Sequence, residues 1–265
     1  MGKDSDFDYY GTELTRTFRL KDGQLKYLVV GTGRCGTVFM ARLLSSIGIP
    51  CTHEGIFYRD GLVPALARMK GELPIEISDI AKMASQDDEG NGVKWFQDED
   101  GVIEAESSYM AAPFLDHPSL ENTAIIHVVR EPMAVINSFV EGFQYFRPES
   151  FNEEYVRNYH RFIYGHLPVL KEKMDTVSRA ALYYVEWNEM IERLAKGRRY
   201  YLHLLNRPLD RLFKFVGVQP TNFYNNVTNH REDLAQVYTR YEDIPDIPAR
   251  ARARLLWAKY MVSLQ

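Results

Sequence analysis

The chain has 265 residues, a length that favours one large α/β domain over two small ones. Its composition, 45% hydrophobic and 26% charged, is typical of a globular protein and argues against a disordered chain. The formal net charge is −4 and the sequence contains no basic block, which argues against nucleic acid as a partner. The same charge argues against a polyanionic acceptor unless the fold forms a local basic patch.

Targeting signals and metal-ligand patterns are missing from the sequence. The two cysteines, Cys35 and Cys51, form neither a disulfide framework nor a metal site pattern, so no metal is expected. The acidic, polar start is unlike a signal peptide, and Asp6 breaks the myristoylation pattern that Gly2 would begin. No apolar run is long enough to span a bilayer. We therefore expect a cytoplasmic protein without a membrane partner.

Residues 27–44 have the pattern of a strand, a glycine-rich loop and a helix. The run Leu28, Val29 and Val30 is typical of a buried parallel strand, and residues 38–44 place apolar side chains at helical spacing. Glycines let backbone N–H groups converge, and the start of a helix adds free N–H groups and a positive dipole end. The pattern predicts an anion site, most often for phosphate. The loop consists of Gly31, Thr32, Gly33, Arg34, Cys35, Gly36 and Thr37.

The spacing within this loop separates it from a nucleoside-triphosphate loop. Gly31 and Gly36 are separated by four residues, as in a P-loop, but Thr37 follows Gly36 directly, where a P-loop would have Lys. A cation stands inside the loop instead, at Arg34. The loop is therefore suited to an anion but poorly suited to the β- and γ-phosphates with magnesium. The alternative is a plain glycine turn between strand and helix.

A second strand–Arg–helix unit follows later in the chain. Ala124–Val129 is a clear strand with Arg130 at its carboxyl end, and Pro132 opens a helix that we expect to reach Tyr145. Ser138 follows Arg130 by eight residues. Two such units predict an α/β fold with a central parallel β-sheet flanked by helices.

Other elements complete the prediction. Residues 1–24 are expected to be an N-terminal arm and residues 25–265 a single domain. Residues 51–55 are expected to be a strand end and loop beside the glycine loop, at the carboxyl edge of the sheet. We predict a solvated loop over residues 86–92 and a polar loop over 221–231. Helices are predicted over residues 62–69, 77–83, 104–115, 151–175, 189 onward, 208–216 and 249–262, and strands over 93–96 and 180–186.

Together these units resemble the sulfotransferases that use 3′-phosphoadenosine 5′-phosphosulfate. Residues 31–37 look like their 5′-phosphosulfate loop in its Arg version, residues 128–139 look like their 3′-phosphate motif, and residues 213–218 are similar to their late helix end. The resemblance implies a P-loop-like sulfotransferase architecture, this donor as co-substrate, and 3′-phosphoadenosine 5′-phosphate as product. It assigns donor binding to Gly31, Thr32, Gly33, Arg34, Cys35, Gly36, Thr37, Val38, Arg130 and Ser138.

The segment Cys51–Glu54 resembles the part of tyrosylprotein sulfotransferases that carries the acidic catalytic base, and Glu54 matches that position. The late Arg-Lys-Gly segment of many cytosolic members has no match here, and Asn229, His230 and Arg231 are the candidates to replace it in donor binding. The membrane anchor of the Golgi members is also missing. The resemblance leaves the acceptor open between a small molecule and a peptide, and it leaves the oligomeric state open.

These residues suit sulfuryl transfer. The two strand–Arg units match the two anionic ends of the donor, whereas ATP has no 3′-phosphate. We assign Arg34 to the leaving phosphate oxygen and Glu54 to the proton of an acceptor hydroxyl or amine. His53 is the competing base because it titrates nearer neutrality, although its neighbouring position in an extended segment points it the other way.

Each of these residues also has an interpretation that gives it no role in catalysis or binding. Glu54 alone would be a solvated loop residue, Arg130 would pair with Glu131, and Ser138 would be an ordinary helix serine. Cys35 is expected to be a packing residue and His127 a core strand histidine. The aromatic side chains of residues 151–175 are expected to pack in the core. The irregular region 57–115 is expected to line an aromatic-tolerant pocket, with Lys94 and residues 106–109 either at the acceptor or on a solvated surface.

Two other functions remain open. A P-loop kinase or nucleotide hydrolase is disfavoured by the missing Lys after Gly36. A non-catalytic nucleotide-binding protein of the same fold would keep the anion site without a base.

Overall fold

The computed structural model describes residues 17–76, 101–142, 146, 154–171, 173–219 and 240–263. A parallel five-stranded sheet lies at the centre of these residues, and a smaller three-stranded sheet lies beside it. The strands are β1 (Thr17–Leu20), β2 (Tyr27–Gly31), β3 (Cys51–His53), β4 (Ile75–Glu76), β5 (Val102–Ile103), β6 (Ala105–Ser107), β7 (Ala124–Val129) and β8 (Tyr200–Leu204). The central sheet has the order β3–β6–β2–β7–β8, and the small sheet has the order β4–β1–β5.

Helices flank the central sheet. They are α1 (Thr37–Ser46), α2 (Leu62–Met69), α3 (Pro132–Asn137), α4 (Glu154–His166), α5 (Thr176–Leu194), α6 (Asp210–Val216) and α7 (Ala249–Ser263). A π-helical turn, Ser138–Gly142, extends α3. Short 3-10 helices form at Lys21–Gly23, Tyr109–Phe114, Pro118–Leu120, Pro168–Lys171 and Tyr241–Asp243.

The apolar side chains of β2 separate two packing layers. Successive strand residues point to opposite faces, so Leu28 and Val30 pack in one hydrophobic cluster while Tyr27 and Val29 pack in the other. The first cluster contains residues of α3, α4, α5 and α7, and the second contains residues of α1 and α6. A strand covered on both faces is apolar at every position, which explains the continuous run at residues 28–30.

The crossovers that leave β2 and β7 go to opposite faces of the sheet. Helix α1, which follows β2, packs in the cluster with Val29, whereas α3, which follows β7, packs in the cluster with Leu28. These two strands are neighbours and run parallel. The chain therefore diverges between their carboxyl ends, and in open α/β sheets such a switch point is where ligands bind.

Several predicted elements are confirmed. The α/β class, the central parallel sheet and the strand over 124–129 are as expected, as are the strand end at Cys51–His53 and the helix over 62–69. The helices predicted over 208–216 and 249–262 form as α6 and α7. The helix predicted over 151–175 is shorter and ends at His166, with Tyr159 and Phe162 in the core as expected.

The strand predicted over residues 180–186 is wrong, since these residues lie in the middle of α5. The run Ala-Leu-Tyr-Tyr-Val is buried on all sides, so it lacks the polar face that would mark a helix. The local signal that marks this helix is its N-cap: the Asp175 side chain accepts a hydrogen bond from Ser178 N at 2.9 Å.

The helix predicted over 104–115 is also wrong. Residues 105–107 form β6, which pairs in parallel with β2 and β3, and a 3-10 helix follows. Ser108 is extended and its hydroxyl accepts from Met110 N at 3.1 Å, so the helix begins only after the strand ends. Glu106 therefore lies inside the sheet.

Four other strands, β1, β4, β5 and β8, were also missing from the prediction. Residues 17–20 of the expected arm form β1, with Phe18 and Leu20 buried. Residues 200–204 form β8, an edge strand that is only partly buried and so shows no clear apolar alternation. The predictions for residues 77–83, 86–92, 93–96 and 221–231 lie outside the described residues.

No helix among the residues described is both long and apolar enough to cross a membrane.

Candidate functional site

The loop after β2 is shaped by glycines at its two ends. A Cβ on Gly31 would lie 2.4 Å from Cys35 Sγ and 2.5 Å from the Val128 carbonyl oxygen, so no larger residue fits there. Gly36 has φ of 108° and occupies the N-cap of α1 without a side-chain cap. The first turn of α1 therefore offers N–H groups, including those of Thr37 and Val38, that have no partner within the helix.

Other N–H groups of this loop hold the loop itself. Gly33 N donates to the Tyr183 hydroxyl oxygen at 3.0 Å, and Cys35 N donates to the Thr32 carbonyl oxygen at 3.3 Å. The expectation that the loop N–H groups converge on an anion is therefore wrong for these two. The capacity to bind an anion rests on the start of α1 and on the arginines nearby.

Cys35 is a packing residue, as expected. It is 1% exposed, and burial raises the pKa of its thiol to about 12. The thiol is therefore neutral and unreactive at physiological pH.

The two strand–Arg units meet at one edge of the sheet. Arg34 Nε donates to Ser138 Oγ at 3.1 Å, and Arg130 Nη1 donates to the Arg34 carbonyl oxygen at 3.3 Å. The loop after β2 and the turn after β7 are thus in direct contact at the switch point. The sequence predicts this proximity, and the structure brings all three residues together.

Arg130 is held by its backbone. Its carbonyl oxygen accepts from the Tyr184 hydroxyl at 2.8 Å, and burial lowers the pKa of its guanidinium, which still stays charged at neutral pH. Glu131, the alternative partner of Arg130, instead caps α3 by accepting from Ala134 N at 2.7 Å and also accepts from the Tyr241 hydroxyl. The positive charge of Arg130 therefore faces the edge where Arg34 lies.

His53 joins this group from the end of β3. Its Nε2 lies 3.1 Å from Thr37 Oγ1, and its Nδ1 is buried without a hydrogen-bond partner. Burial, with a smaller contribution from the charge of Arg34, lowers the pKa of the imidazole to about 3. His53 is therefore neutral at physiological pH and links the start of α1 to β3.

Glu54 lies beside His53, and its side chain is 17% exposed. The nearest approach is 3.8 Å, between Glu54 Oε1 and His53 Nε2. The expectation that the two side chains point in opposite directions is wrong, because the extended backbone ends at Glu54, where φ is 55°. Burial raises the pKa of this carboxyl to about 8, helped by the charge of Glu106 and opposed by Arg59 and Arg34. The solvated-loop interpretation is therefore wrong.

Glu106 supports the segment that carries Glu54. Its side chain is fully buried and accepts hydrogen bonds from the Thr52 hydroxyl, from Ile56 N at 3.1 Å and from Phe57 N at 3.3 Å. Burial raises the pKa of this carboxyl to about 7, against those hydrogen bonds. The expectation of an acceptor contact or a solvated surface at Glu106 is wrong, because its carboxyl is fully buried and its hydrogen bonds hold residues 52–57 in place.

Ser107 and Ser108 are buried too. Ser107 Oγ donates to the Thr37 carbonyl oxygen at 2.7 Å, and Ser108 Oγ donates to the Phe57 carbonyl oxygen at 3.0 Å. Both hydroxyls therefore hold neighbouring segments of the site in place. His127 is a core histidine as expected, bonded to Tyr200 and Asn188.

Two residues at this edge have a strained backbone. Among the described residues other than glycine, φ is positive at four, and two of these are Arg34 (φ 68°) and Glu54. This conformation costs roughly 1–2 kcal/mol for a residue with a Cβ. It persists where the surrounding structure enforces it, often at a functional site.

Some of the predicted site residues are not among those that the structure describes. Asn229, His230, Arg231 and Lys94 lie outside the described residues. Among the residues described, no group of three His, Cys, Asp or Glu side chains could hold a metal ion. The other residues assigned to donor binding and catalysis lie on the carboxyl side of β2, β3 and β7.

The arrangement is suited to an anionic ligand with a nearby acid or base. Two guanidinium groups and a helix start supply positive potential, and a mostly buried carboxyl with a pKa near neutrality stands next to them. No protein-family model matches the sequence, and no curated protein matches it significantly.

Proposed function

We propose that this protein is a sulfotransferase with a P-loop-like sulfotransferase architecture. It moves a sulfuryl group from 3′-phosphoadenosine 5′-phosphosulfate to a hydroxyl of a small acceptor. The observation that carries the proposal is the contact between the two strand–Arg units, in which Arg34 bonds to Ser138 and Arg130 bonds to the Arg34 carbonyl. A donor with two anionic ends needs two cationic sites that one nucleotide can bridge.

The loop after β2 and the start of α1 hold the 5′-phosphosulfate in this proposal. Thr37 and Val38 offer backbone N–H groups, and Arg34 places a guanidinium in the same region. The residue that would bind β- and γ-phosphates in a P-loop is missing, since Thr37 follows Gly36 directly. This supports a phosphosulfate over a nucleoside triphosphate.

Arg130 and Ser138 hold the 3′-phosphate. Arg130 directly follows β7 and Ser138 begins the π-helical turn, on the neighbouring side of the switch point. Ser138 Oγ accepts from Arg34 Nε, so the groups assigned to the two anionic ends of the donor lie next to each other.

Glu54 is the base. Its carboxylate takes the proton of the acceptor hydroxyl while the acceptor oxygen forms a bond to sulfur. The bond between sulfur and the bridging phosphate oxygen breaks, and its electron pair stays on the phosphate, where Arg34 stabilises the charge. The products are a sulfate ester and 3′-phosphoadenosine 5′-phosphate. A pKa of about 8 places this carboxyl near the pH at which a general base works best.

His53 acts as a positioning residue in this proposal. With a pKa of about 3 it is a weak base, and its Nε2 is engaged with Thr37. It keeps Glu54 and the start of α1 at a fixed separation.

Thermal denaturation tests the proposal directly. We expect 3′-phosphoadenosine 5′-phosphate to stabilise the protein by about 2.7 kcal/mol at a concentration 100-fold above its dissociation constant. ATP with magnesium should stabilise it far less. Stabilisation by ATP and magnesium alone would overturn the proposal in favour of a kinase or hydrolase.

A further inference from the structure

A cavity of about 620 Å³ opens between the connection after β3 and helix α4. Its volume is typical of small-molecule sites, which span roughly 300–1,000 Å³. The wall on one side comes from residues that closely follow Glu54 in the chain. The groups that decide its chemistry are Tyr58, Arg59, Asp60, Arg161, Phe162 and His166.

The charge on this wall favours an anion. Arg59 and Arg161 contribute two guanidinium groups, and Asp60 contributes one carboxylate. That carboxylate is already bonded to Arg68, whose two nitrogens lie 2.5 and 3.3 Å from its oxygens. Among the described residues that line the cavity, arginine side chains outnumber carboxylates by two to one, although the whole chain has a net charge of −4. This is the local basic patch that the composition alone does not reveal.

Aromatic and imidazole rings form another part of the wall. Phe162 is buried and meets the His166 ring edge to face at 4.9 Å between centroids. Burial lowers the pKa of His166, so its ring is neutral near pH 7 and adds no charge. The Tyr58 ring lies under the Arg59 guanidinium at 4.7 Å. These surfaces suit a flat, ring-containing ligand.

The cavity wall is close to the proposed base in the chain. Tyr58, Arg59 and Asp60, which line the cavity, follow Glu54 by four to six residues, and the charge of Arg59 acts on the Glu54 carboxyl. The intervening residues Ile56 and Phe57 are fixed by hydrogen bonds to Glu106. The chain between Glu54 and Arg59 is thus anchored to β6.

We propose that this cavity is the acceptor site, and that the acceptor is a ring-containing small molecule with both a hydroxyl and a carboxylate. Arg59 and Arg161 bind the carboxylate, and Phe162 packs against the ring. The hydroxyl then faces Glu54. This inference rests on the proposed function for its reaction, but its binding chemistry is tested without any transfer.

The test compares acids with their methyl esters. The probes are 4-hydroxybenzoate, 4-hydroxyphenylacetate and 4-hydroxycinnamate, each paired with its ester, which keeps the ring and hydroxyl but loses the charge. Binding is measured by calorimetry on the full chain in the presence of 3′-phosphoadenosine 5′-phosphate. We expect at least one acid to bind about tenfold or more tightly than its ester, because a charged hydrogen bond is lost in the ester.

Variants assign the preference to the two arginines. Arg59→Gln and Arg161→Gln should each reduce the ratio of ester to acid dissociation constants by about tenfold. Arg193→Gln changes an exposed arginine on α5 outside the cavity and should leave the ratio unchanged. Unfolding midpoints of all three variants confirm that each one is folded.

Three outcomes would overturn the inference: no acid binds, the esters bind as tightly as the acids, or both cavity variants keep the preference. The proposed function is judged separately, by binding of 3′-phosphoadenosine 5′-phosphate alone. If that nucleotide fails to bind while the acids bind without it, the sulfotransferase is wrong and the anion-binding cavity stands. If the nucleotide binds and no preference for acids is seen, only the cavity assignment is wrong.

Discussion

Arg34 Nε donates to Ser138 Oγ at 3.1 Å, although 104 residues separate the two in the chain. The contact spans the gap between the carboxyl ends of two neighbouring parallel strands, β2 and β7. It makes one continuous polar surface from two separate strand–Arg–helix units. The proposed donor site depends on this continuity, because a single nucleotide must reach both arginines.

Arg130→Gln should remove most of the preference for 3′-phosphoadenosine 5′-phosphate over AMP, which lacks the 3′-phosphate. A charge-assisted hydrogen bond contributes about 1.5–3 kcal/mol, so we expect a loss of roughly ten- to a hundredfold in the ratio of dissociation constants. Calorimetry on the two nucleotides measures this ratio. AMP binding should change little. A variant with the wild-type ratio would show that Arg130 does not bind the 3′-phosphate.

The rate of sulfate transfer should rise with pH up to about 8. Only the ionised Glu54 carboxylate can take a proton, and its pKa of about 8 leaves about one molecule in ten ionised at pH 7. Glu54→Gln should lower kcat by roughly 10²–10⁴ and remove this slope. The transfer rate is measured with labelled donor and the three hydroxylated acids named above as acceptors. The pKa of Glu54 is measured directly by ¹³C NMR of labelled Glu side chains. A flat profile between pH 5 and 8 would instead suit His53, whose pKa is about 3.

Glu106→Gln should make stability less dependent on pH. Burial raises the pKa of Glu106 from 4.5 to about 7, so the folded chain favours the neutral carboxyl. The stability that this group contributes is complete below pH 4.5 and is lost as the pH rises through 7. By linkage, the wild type should lose about 3 kcal/mol relative to the variant between pH 4.5 and 8. Urea unfolding at several pH values measures the difference.

Glu104→Gln is the matched control for this experiment. Its carboxyl, bonded to Lys21 and Lys26, has a lowered pKa despite partial burial. The stability from Glu104 is therefore present above its unfolded pKa and is lost as the pH falls. The control variant should be destabilised at neutral pH, which is opposite in sign to the Glu106 effect. Equal pH profiles for the two variants would contradict both assignments.

Gly31→Ala should destabilise the protein by about 1–3 kcal/mol. Its Cβ would meet Cys35 Sγ at 2.4 Å and the Val128 carbonyl oxygen at 2.5 Å, and a carbonyl in a central strand cannot move aside. Gly165→Ala is the control, since nothing lies within 4 Å of its Cβ and the residue is in α4. That change should stabilise the protein by up to about 1 kcal/mol. Urea unfolding of both variants at pH 5 compares them. A stable Gly31→Ala protein would contradict the described packing of the loop.

The sequence alone predicted those elements whose local composition reflects their burial in the fold. Residues 28–30 are apolar because both faces of β2 are covered, and Gly31 and Gly36 mark the two ends of the loop. The positions of Arg34 and Arg130 at one edge also follow, because Arg130 comes directly after β7 and Arg34 lies in the loop that follows β2. These features depend on neighbours in the chain and on a rule that all parallel sheets obey.

Other features depend on distant contacts that spacing does not encode. A buried apolar run is the same in a strand and in a fully covered helix, so residues 180–186 were predicted as a strand. Glu106 is charged in isolation, yet the Thr52 hydroxyl and two backbone N–H groups surround it. The Tyr183 hydroxyl, 150 residues from Gly33, takes one of the loop N–H groups. Such contacts become visible only when the chain is folded.

Thr37 occupies a junction among three strands. Its carbonyl oxygen accepts from Ser107 on β6, its hydroxyl meets His53 on β3, and its helix begins just after β2. A nucleotide that shifts the start of α1 would therefore also shift the end of β3, which precedes Glu54. In the proposed function, Thr37 and His53 would therefore connect the donor site to the position of Glu54, so that donor binding and proton transfer depend on one another.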